Sequence, residues 1–384
     1  MQAVILAAGS GTRMHPLTLT QSKAMLPVAN KPLLEWTIKS LEEVADEIII
    51  VVNKSQTDIT SYFKDCTFAY QEEQKGTADA LAAAEEFING RFILINADEF
   101  IPKTDIQNFA KGGGCKTAVF RVNNPGLFGV VEAKNNIVSN IVEKPQNPAS
   151  NLVRCGMELL DKNIFPLINQ VKPSVRGELE ITDVYRLLIK EQEMQIFEVS
   201  KWITISYPWG FLDANRFVLE EHGSQIAKDV EIRPGAVIEE PVAIGSGSIV
   251  GPNCFIRKHS SIGKNCKVGQ AVEIKNSIIM DNTFVSHLSY VGDSIIGRNC
   301  NVAAGVTFAN LRLDEKTIKV NVNNQRIDSG HRKLGAVVGD NVKFGVNVTV
   351  MPGKKIWPGL MIPPCSAIKN DVTEQPDLKD WKGE

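Results

Sequence analysis

From Ile232 to Ile274 an aliphatic residue recurs at every sixth position: Ile232, Ile238, Ile244, Val250, Ile256, Ile262, Val268 and Ile274. The phase returns at Val285 and Val291, at Ile296, Val302 and Phe308, and later as Val338, Phe344, Val350, Ile356, Ile362 and Ile368. A helix repeats at about 3.6 residues and a strand at two, so neither accounts for a period of six. A hexapeptide β-helix does, because each side of a triangular coil takes six residues and turns one aliphatic side chain inward. Gly245, Gly251, Gly263, Gly269, Gly339 and Gly345 follow inward residues, which suits tight corners. The repeat region is read as 228–370, broken by a non-repetitive excursion, Ala309–Lys333, rich in Lys, Arg, Asp and Asn. A loop of that length in a regular solenoid is more often functional than decorative.

The N-terminal half follows another pattern. Ala3–Leu6, Glu47–Val52, Phe92–Ile95 and Thr117–Val122 are short apolar runs bounded by Gly, Asp or Asn, and are predicted as strands. Lys31–Val44, Gly76–Phe87 and Leu179–Glu191 are amphipathic or Ala-rich and are predicted as helices. This alternation predicts βαβ units and a mainly parallel sheet, hence an α/β domain over 1–207. Pro208–Gly223 is predicted as a connecting helix closed by Gly223, within a linker over 208–227. The polar stretch 371–384 is expected to be a loose tail.

A chain of 384 residues is too long for one core, which agrees with this division. The net charge of −2 does not call for nucleic acid or an anionic membrane as partner. No apolar run approaches the ~20 residues of a spanning helix. The N-terminus lacks the basic start and cleavage site of a signal peptide and reads as a first strand. Seven cysteines without a CxxC pair fit free, mostly buried thiols in a reducing cytoplasm, and argue against a zinc site.

Leu6-Ala7-Ala8-Gly9-Ser10-Gly11-Thr12-Arg13-Met14 follows the first predicted strand directly. Gly9 and Gly11 let the backbone approach a phosphate, and successive N–H groups form an anion nest. Arg13 adds a cation, and Lys23, in Ser22-Lys23-Ala24-Met25-Leu26-Pro27, adds a second. These two segments resemble the fingerprint of the sugar-1-phosphate nucleotidylyltransferases, LAAGxGTRM followed by K-x-x-x-P. The resemblance implies that Leu6, Ala8, Gly9, Gly11 and Thr12 bind nucleotide and that Arg13 and Lys23 are catalytic. Gln71-Glu72-Glu73-Gln74-Lys75-Gly76-Thr77 resembles the family's base-reading segment, so Gln71, Gly76 and Thr77 are expected on the base. A plainer role for Thr77 is the N-cap of a helix beginning at Ala78. Asp98 resembles the family's Mg²⁺ carboxylate, and Mg²⁺ takes one or two carboxylates beside substrate phosphates. Gly129 and Glu143 match the positions where the family contacts the sugar. The implied chemistry is attack of a sugar-1-phosphate oxygen on the α-phosphate of a nucleoside triphosphate, driven by positioning and charge neutralisation. Three residues depart from the pattern: Ala97 stands where Gly is usual, Thr204 where Asp or Asn is usual, and Arg154 where a sugar-side Asn is usual. Arg154 is a cation that could serve a phosphate.

The second chemical signature lies on the predicted β-helix. From Arg257 to Lys316 the chain resembles, without a gap, the acetyltransferase domain of the bifunctional GlmU family. The matching residues are Arg257, Lys275, His287, Tyr290, Asn301, Asn310 and Lys316. The resemblance implies that His287 takes a proton from a sugar amine attacking acetyl-CoA. Arg257, Lys275, Tyr290 and Lys316 would hold the sugar phosphate, and Asn301 and Asn310 the sugar and amine. A base working near neutral pH and cations for a phosphate are what that chemistry requires.

The resemblance covers nearly the whole chain. It implies a Rossmann-like nucleotidyltransferase domain followed by a left-handed parallel β-helix, an enzyme with Mg²⁺ and acetyl-CoA, and a cytoplasmic homotrimer. The expected reactions are N-acetylation of glucosamine-1-phosphate or galactosamine-1-phosphate, then nucleotidyl transfer from UTP or dTTP. Two rivals stand beside this. One is a monofunctional acetyltransferase, favoured by Thr204, Ala97 and Arg154. The other is a non-catalytic scaffold of the same two domains, which would have no reason to keep His287 among matched cations.

Overall fold

A computed structural model describes residues 1–378; the predicted tail from 379 onward lies outside them. The chain divides into two compact units. Met1–Ser10 groups with Leu33–Thr204, and Gly11–Pro32 groups with the chain from Ile205 onward.

The first unit is built on a nine-stranded sheet. Four strands, Thr67–Gln71, Glu47–Asn53, Gln2–Leu6 and Phe92–Asn96, lie parallel in that order. Their apolar runs, such as Ile49 to Val52, are fully buried, as expected of parallel strands covered on both faces. Beyond Phe92–Asn96 the sheet is mixed. Leu152–Leu160 runs antiparallel to Phe92–Asn96 and to Cys115–Arg121, and Gly129–Lys134 forms a hairpin with Ile137–Glu143. The hairpin turn is Asn135–Asn136, both at positive φ (51° and 63°), the conformation a two-residue turn favours. The predicted helices are shorter than their sequence patterns. Lys31–Pro32 is extended, because the residue before proline avoids the helical region, and the helix runs Leu33–Leu41. The Ala-rich segment is a helix at Thr77–Ala82 and a 3₁₀ turn at Glu85–Phe87. Leu179–Glu191 is helical over Ile181–Glu191.

The second unit is a parallel β-helix of three seven-stranded sheets. The sixfold residues from Ile244 to Ile362 form its buried spine. Ile232 keeps the phase but is 50% exposed, because the first coil has no coil beneath it. Coils of 18 residues, as from Ala243 to Ser261, give way to coils of 17, from Ser261 to Ile278 and from Ile278 to Ile295. The lost residue is at one corner. The aliphatic spacing shortens to five between Ile274 and Ile279 and between Val291 and Ile296. Asn276 and Asp293 turn those corners at positive φ, 44° and 45°, which Asn and Asp tolerate. The next corner along the same edge, after Thr307–Phe308, is where the excursion leaves; the chain returns at Val337–Val338.

The excursion is ordered. Lys319–Val322 and Gln325–Asp328 form an antiparallel hairpin that buries Ile318, Val320 and Val322. The connecting helix, Gly210–His222, ends at Gly223 as predicted, but it is packed rather than free. Asn215 is fully buried: its Oδ1 accepts from Ala29 N and Ser261 Oγ, and its Nδ2 donates to His259 O. Gly11–Pro32 is tied to the same unit, with Thr20 Oγ1 donating to Asp340 Oδ2 and Asn30 Nδ2 to Ile262 O. The start of the expected loose tail is also docked. Asp371 accepts from Lys355 N, and the Gln375 amide pairs with the Met361 backbone.

Candidate functional site

In the first unit, Leu6 ends its strand and Ala8 O accepts from Gln74 Nε2 at 2.7 Å, which ties the Gly-rich loop to the Gln71–Thr77 segment. A Cβ built on Gly9 would meet nothing within 4 Å, so its glycine serves an open side rather than a crowded one. Gln71 is buried, with Nε2 donating to Gly76 O and Asp79 Oδ2. Gly76 has φ 132°, and a Cβ there would lie 2.5 Å from Leu179 O. Thr77 is not an N-cap. It is the first residue of its helix, and its Oγ1 accepts from Ile181 N at 3.0 Å, capping the start of the Ile181–Glu191 helix instead.

Asp98 sits half-buried in the turn after Phe92–Asn96. Thr204 pairs across to Glu99, so the register brings it beside Asp98. Glu99 is itself buried and accepts from Trp202 Nε1 at 2.7 Å. Ala97 lies outside the positive-φ region and donates its N–H to Leu6 O, so the backbone there does not demand glycine. Among the described residues no three His, Cys, Asp or Glu side chains cluster as a metal cage. One carboxylate beside substrate phosphates is nevertheless a normal Mg²⁺ donor set. Gly129 and Glu143 are register partners, and a Cβ on Gly129 would lie 3.2 Å from Glu143 Oε2 and 3.3 Å from Thr182 Cγ2.

Arg154 does not present its charge to a phosphate. Its Nε donates to Glu158 Oε1 at 2.6 Å and its guanidinium lies over the Tyr185 ring. Burial opposes the Arg154 charge, but Glu158 outweighs it and holds the guanidinium's pKa above its ordinary value. The pattern that aligned Arg154 with a sugar-side Asn carried no sign of Glu158.

In the second unit, Gly11 takes φ 66°, and its carbonyl accepts from Met14 N and Thr18 Oγ1. Thr12 and Arg13 are exposed in a 3₁₀ turn, with Arg13 over the Tyr207 ring; Lys23 begins another such turn.

The β-helix brings several predicted residues together along the shortened edge. Lys275 Nζ lies 3.6 Å from Asp293 Oδ2, and Arg257 contacts Glu273 and Glu239. Asn310 Nδ2 donates to Tyr290 OH at 3.1 Å and to Asp293 Oδ2. Burial lowers the Lys275 pKa; Asp293 opposes this and Lys333 adds to it. Burial raises the Tyr290 pKa. His287 and Asn301 lie apart from that edge, exposed on adjacent coils of another face: His287 ends Phe284–His287, which pairs with Asn301–Val302. Lys316 is exposed on the excursion and does not border the cavity described next.

A cavity of about 520 Å³ opens at the shortened edge. The β-helix contributes Arg257, Lys275, Asn276 and Asp293; the connecting helix contributes Asp213, Arg216 and Glu220; the excursion contributes His331, Arg332 and Lys333. His331 Nε2 lies 3.2 Å from Asp213 Oδ2, which raises the His331 pKa. Asp213, Arg216 and Asp293 were missed by sequence reasoning. The available signal was the drop in aliphatic spacing from six to five, which marks the edge where the cavity forms.

The nucleotidyl transferase family matches residues 2–221, and the EIF2B subunit epsilon LbH domain matches residues 222–325. The bifunctional protein GlmU of Methanocaldococcus jannaschii is 42% identical over 396 residues, covering 97% of this chain and 96% of its own. The bifunctional sugar-1-phosphate nucleotidylyltransferase/acetyltransferase of Sulfurisphaera tokodaii is 38% identical, covering 97% and 98%. Among solved structures, a Bacillus anthracis chain described as a glucose-1-phosphate thymidylyltransferase is similar with a TM-score of 0.52 and 29% identity. That likeness covers 58% of this chain and 96% of the other.

Proposed function

Because this chain belongs to the bifunctional GlmU family of sugar-1-phosphate nucleotidylyltransferase/acetyltransferases, we propose that it makes UDP-N-acetylglucosamine from glucosamine-1-phosphate in two steps. In the first, the sugar amine attacks the acetyl-CoA thioester carbonyl, the new C–N bond forms, and the C–S bond breaks to release CoA. His287 accepts the amine proton as general base. Arg257, Lys275 and Tyr290 hold the sugar phosphate, Asn310 and Asn301 orient the sugar and amine, and Lys316 adds a phosphate contact. The observation that carries this reading is the cluster of Lys275, Tyr290 and Asn310 around Asp293 on one edge of the β-helix, beside Arg257. Galactosamine-1-phosphate is the alternative acceptor.

In the second step the sugar-1-phosphate oxygen attacks the α-phosphate of UTP, or of dTTP, and pyrophosphate leaves. Leu6, Ala8, Gly9, Gly11 and Thr12 bind the nucleotide, and Gln71, Gly76 and Thr77 read the base. Arg13 and Lys23 neutralise the developing charge. Gly129 and Glu143 hold the sugar. Asp98 holds Mg²⁺, which supplies charge neutralisation of the triphosphate when bound. The open side of Gly9 supports a close approach of phosphate to the loop.

The protein acts in the cytoplasm as a homotrimer packed through its β-helices, with acetyl-CoA bound between neighbours. No helix among the described residues is long and apolar enough to cross a membrane. The test is to supply glucosamine-1-phosphate with acetyl-CoA, and separately N-acetylglucosamine-1-phosphate with UTP and Mg²⁺. Turnover in both is expected. Turnover only in the first would leave a monofunctional acetyltransferase, and turnover in neither would leave a scaffold.

A further inference from the structure

The cavity on the shortened edge holds more positive charge than its carboxylates balance. Lys275 is partly desolvated, and both Lys333 and Arg257 disfavour its charge. Asp293, the carboxylate nearest Lys275, is already taken by the amides of Asn276 and Asn310. Such an arrangement is stabilised by an anion carrying more than one charge.

The excursion adds a further group. The His331 backbone is held by the hairpin, its carbonyl accepting from Ile318 N and its N–H donating to Ser329 Oγ. The ring borders the cavity and binds Asp213 of the connecting helix through Nε2. An imidazolium has two donors. With Nε2 on the carboxylate, Nδ1–H is the donor left for a ligand.

We propose that His331, oriented by Asp213, is a phosphate-positioning residue of the acetyl-acceptor pocket, and that with Lys333 it selects the dianionic phosphate of an amino-sugar-1-phosphate. This rests on the acetyl-transfer reading above. The role of the excursion is then to close the phosphate end of a pocket that the β-helix edge leaves open.

The pH dependence follows from the groups around the ring. Asp213 and, more weakly, Asp293 favour the charged imidazole, whereas burial and Arg216 oppose it; the balance raises its pKa. Lys333, Lys275 and Arg257 border the same cavity, as do His259 and Glu220, which pair with each other. A raised pKa means the charge is present at low pH and is lost as pH rises through the raised value. A phosphate monoester takes its second charge near pH 6. Binding is therefore strongest between those two limits.

The test uses the full chain, with Glu143→Ala throughout to remove the sugar-1-phosphate site proposed for the nucleotidyltransferase domain, and glucose-1-phosphate, which lacks the amine and so does not titrate near neutral pH except through its phosphate. Calorimetry across pH 5.5–9 should show affinity falling on the alkaline side. His331→Gln should weaken binding about tenfold near pH 7, as loss of a charged hydrogen bond does, and should abolish the alkaline limb. His331→Arg should restore affinity without that limb. Asp213→Asn should move the limb to lower pH. In acetyl-transfer kinetics, His331→Gln should raise KM for the amino-sugar phosphate about tenfold while KM for acetyl-CoA stays put.

Unchanged glucose-1-phosphate binding in His331→Gln overturns the proposal. So does a rise in KM for acetyl-CoA alone, which would assign these cations to the CoA 3′-phosphate. If His331→Gln fails to fold by circular dichroism, Asp213→Asn decides: an unmoved alkaline limb overturns the proposal. A chain with His331 and Asp213 unchanged that binds glucose-1-phosphate with the alkaline limb but transfers no acetyl group keeps the phosphate cradle and removes the acetyltransferase reading. Acetyl transfer with no effect of either variant does the reverse.

Discussion

Arg154 and Glu158 form an ion pair within one strand, Nε to Oε1 2.6 Å, with Glu158 wholly buried. The strand makes this possible by slipping register between the two residues, at Gly156, whose φ is 70°. Thr117 Oγ1 also donates to the same carboxylate oxygen. Arg154→Met leaves Glu158 as an uncompensated buried charge and is expected to cost about 3–5 kcal/mol. Arg154→Met with Glu158→Leu should recover most of that loss. Denaturant unfolding of the two variants checks this. A single-variant loss below about 1 kcal/mol would mean that Glu158 is protonated or hydrated.

Thr204 faces Glu99 across an antiparallel pair, next to Asp98. Thr204→Asp places a second carboxylate beside the proposed Mg²⁺ ligand. It should lower the Mg²⁺ needed for half-maximal nucleotidyl transfer. A wild type that already saturates at sub-millimolar Mg²⁺ with a brisk rate would show that Thr204 is harmless.

His287 stands exposed at the end of its strand. His287→Ala should reduce acetyl transfer by roughly 10²–10⁴, the usual contribution of a general base. Nucleotidyl transfer by the same variant should stay at wild-type level. An acetyl-transfer rate within about tenfold of wild type removes His287 from the mechanism.

Thr77 caps a helix that begins more than a hundred residues later in the chain, through Ile181 N. Thr77→Val removes the acceptor and should cost about 1 kcal/mol, whereas Thr77→Ser keeps it. Thermal unfolding separates the two. If Thr77 also reads the base, Thr77→Val will raise KM for UTP as well, and Thr77→Ser will not.

The β-helix was legible from the chain because its period is local. Every sixth side chain must fill the same narrow interior, so each coil repeats the same demand and the spine from Ile244 to Ile362 is buried as read. The Gly-rich loop was legible for a similar reason, since consecutive residues make it. The parallel strands around Gln2–Leu6 followed from their apolar runs, but the antiparallel part did not, because register depends on partners that a single strand does not announce. Pairings across long separations were invisible for the same reason: Thr77 with Ile181, and Asn215 with Ala29 and Ser261. Arg154 and Glu158 are only four residues apart, but their pairing depends on the bulge at Gly156, which alternation along a strand does not announce. Lys275 and Tyr290 were found as isolated matches along the chain. Only the stacking of successive coils set Lys275 beside Asp293, because a solenoid turns a sequence separation of one coil into side-by-side neighbours, and only the packing of the connecting helix and the excursion against that edge brought Asp213 to His331.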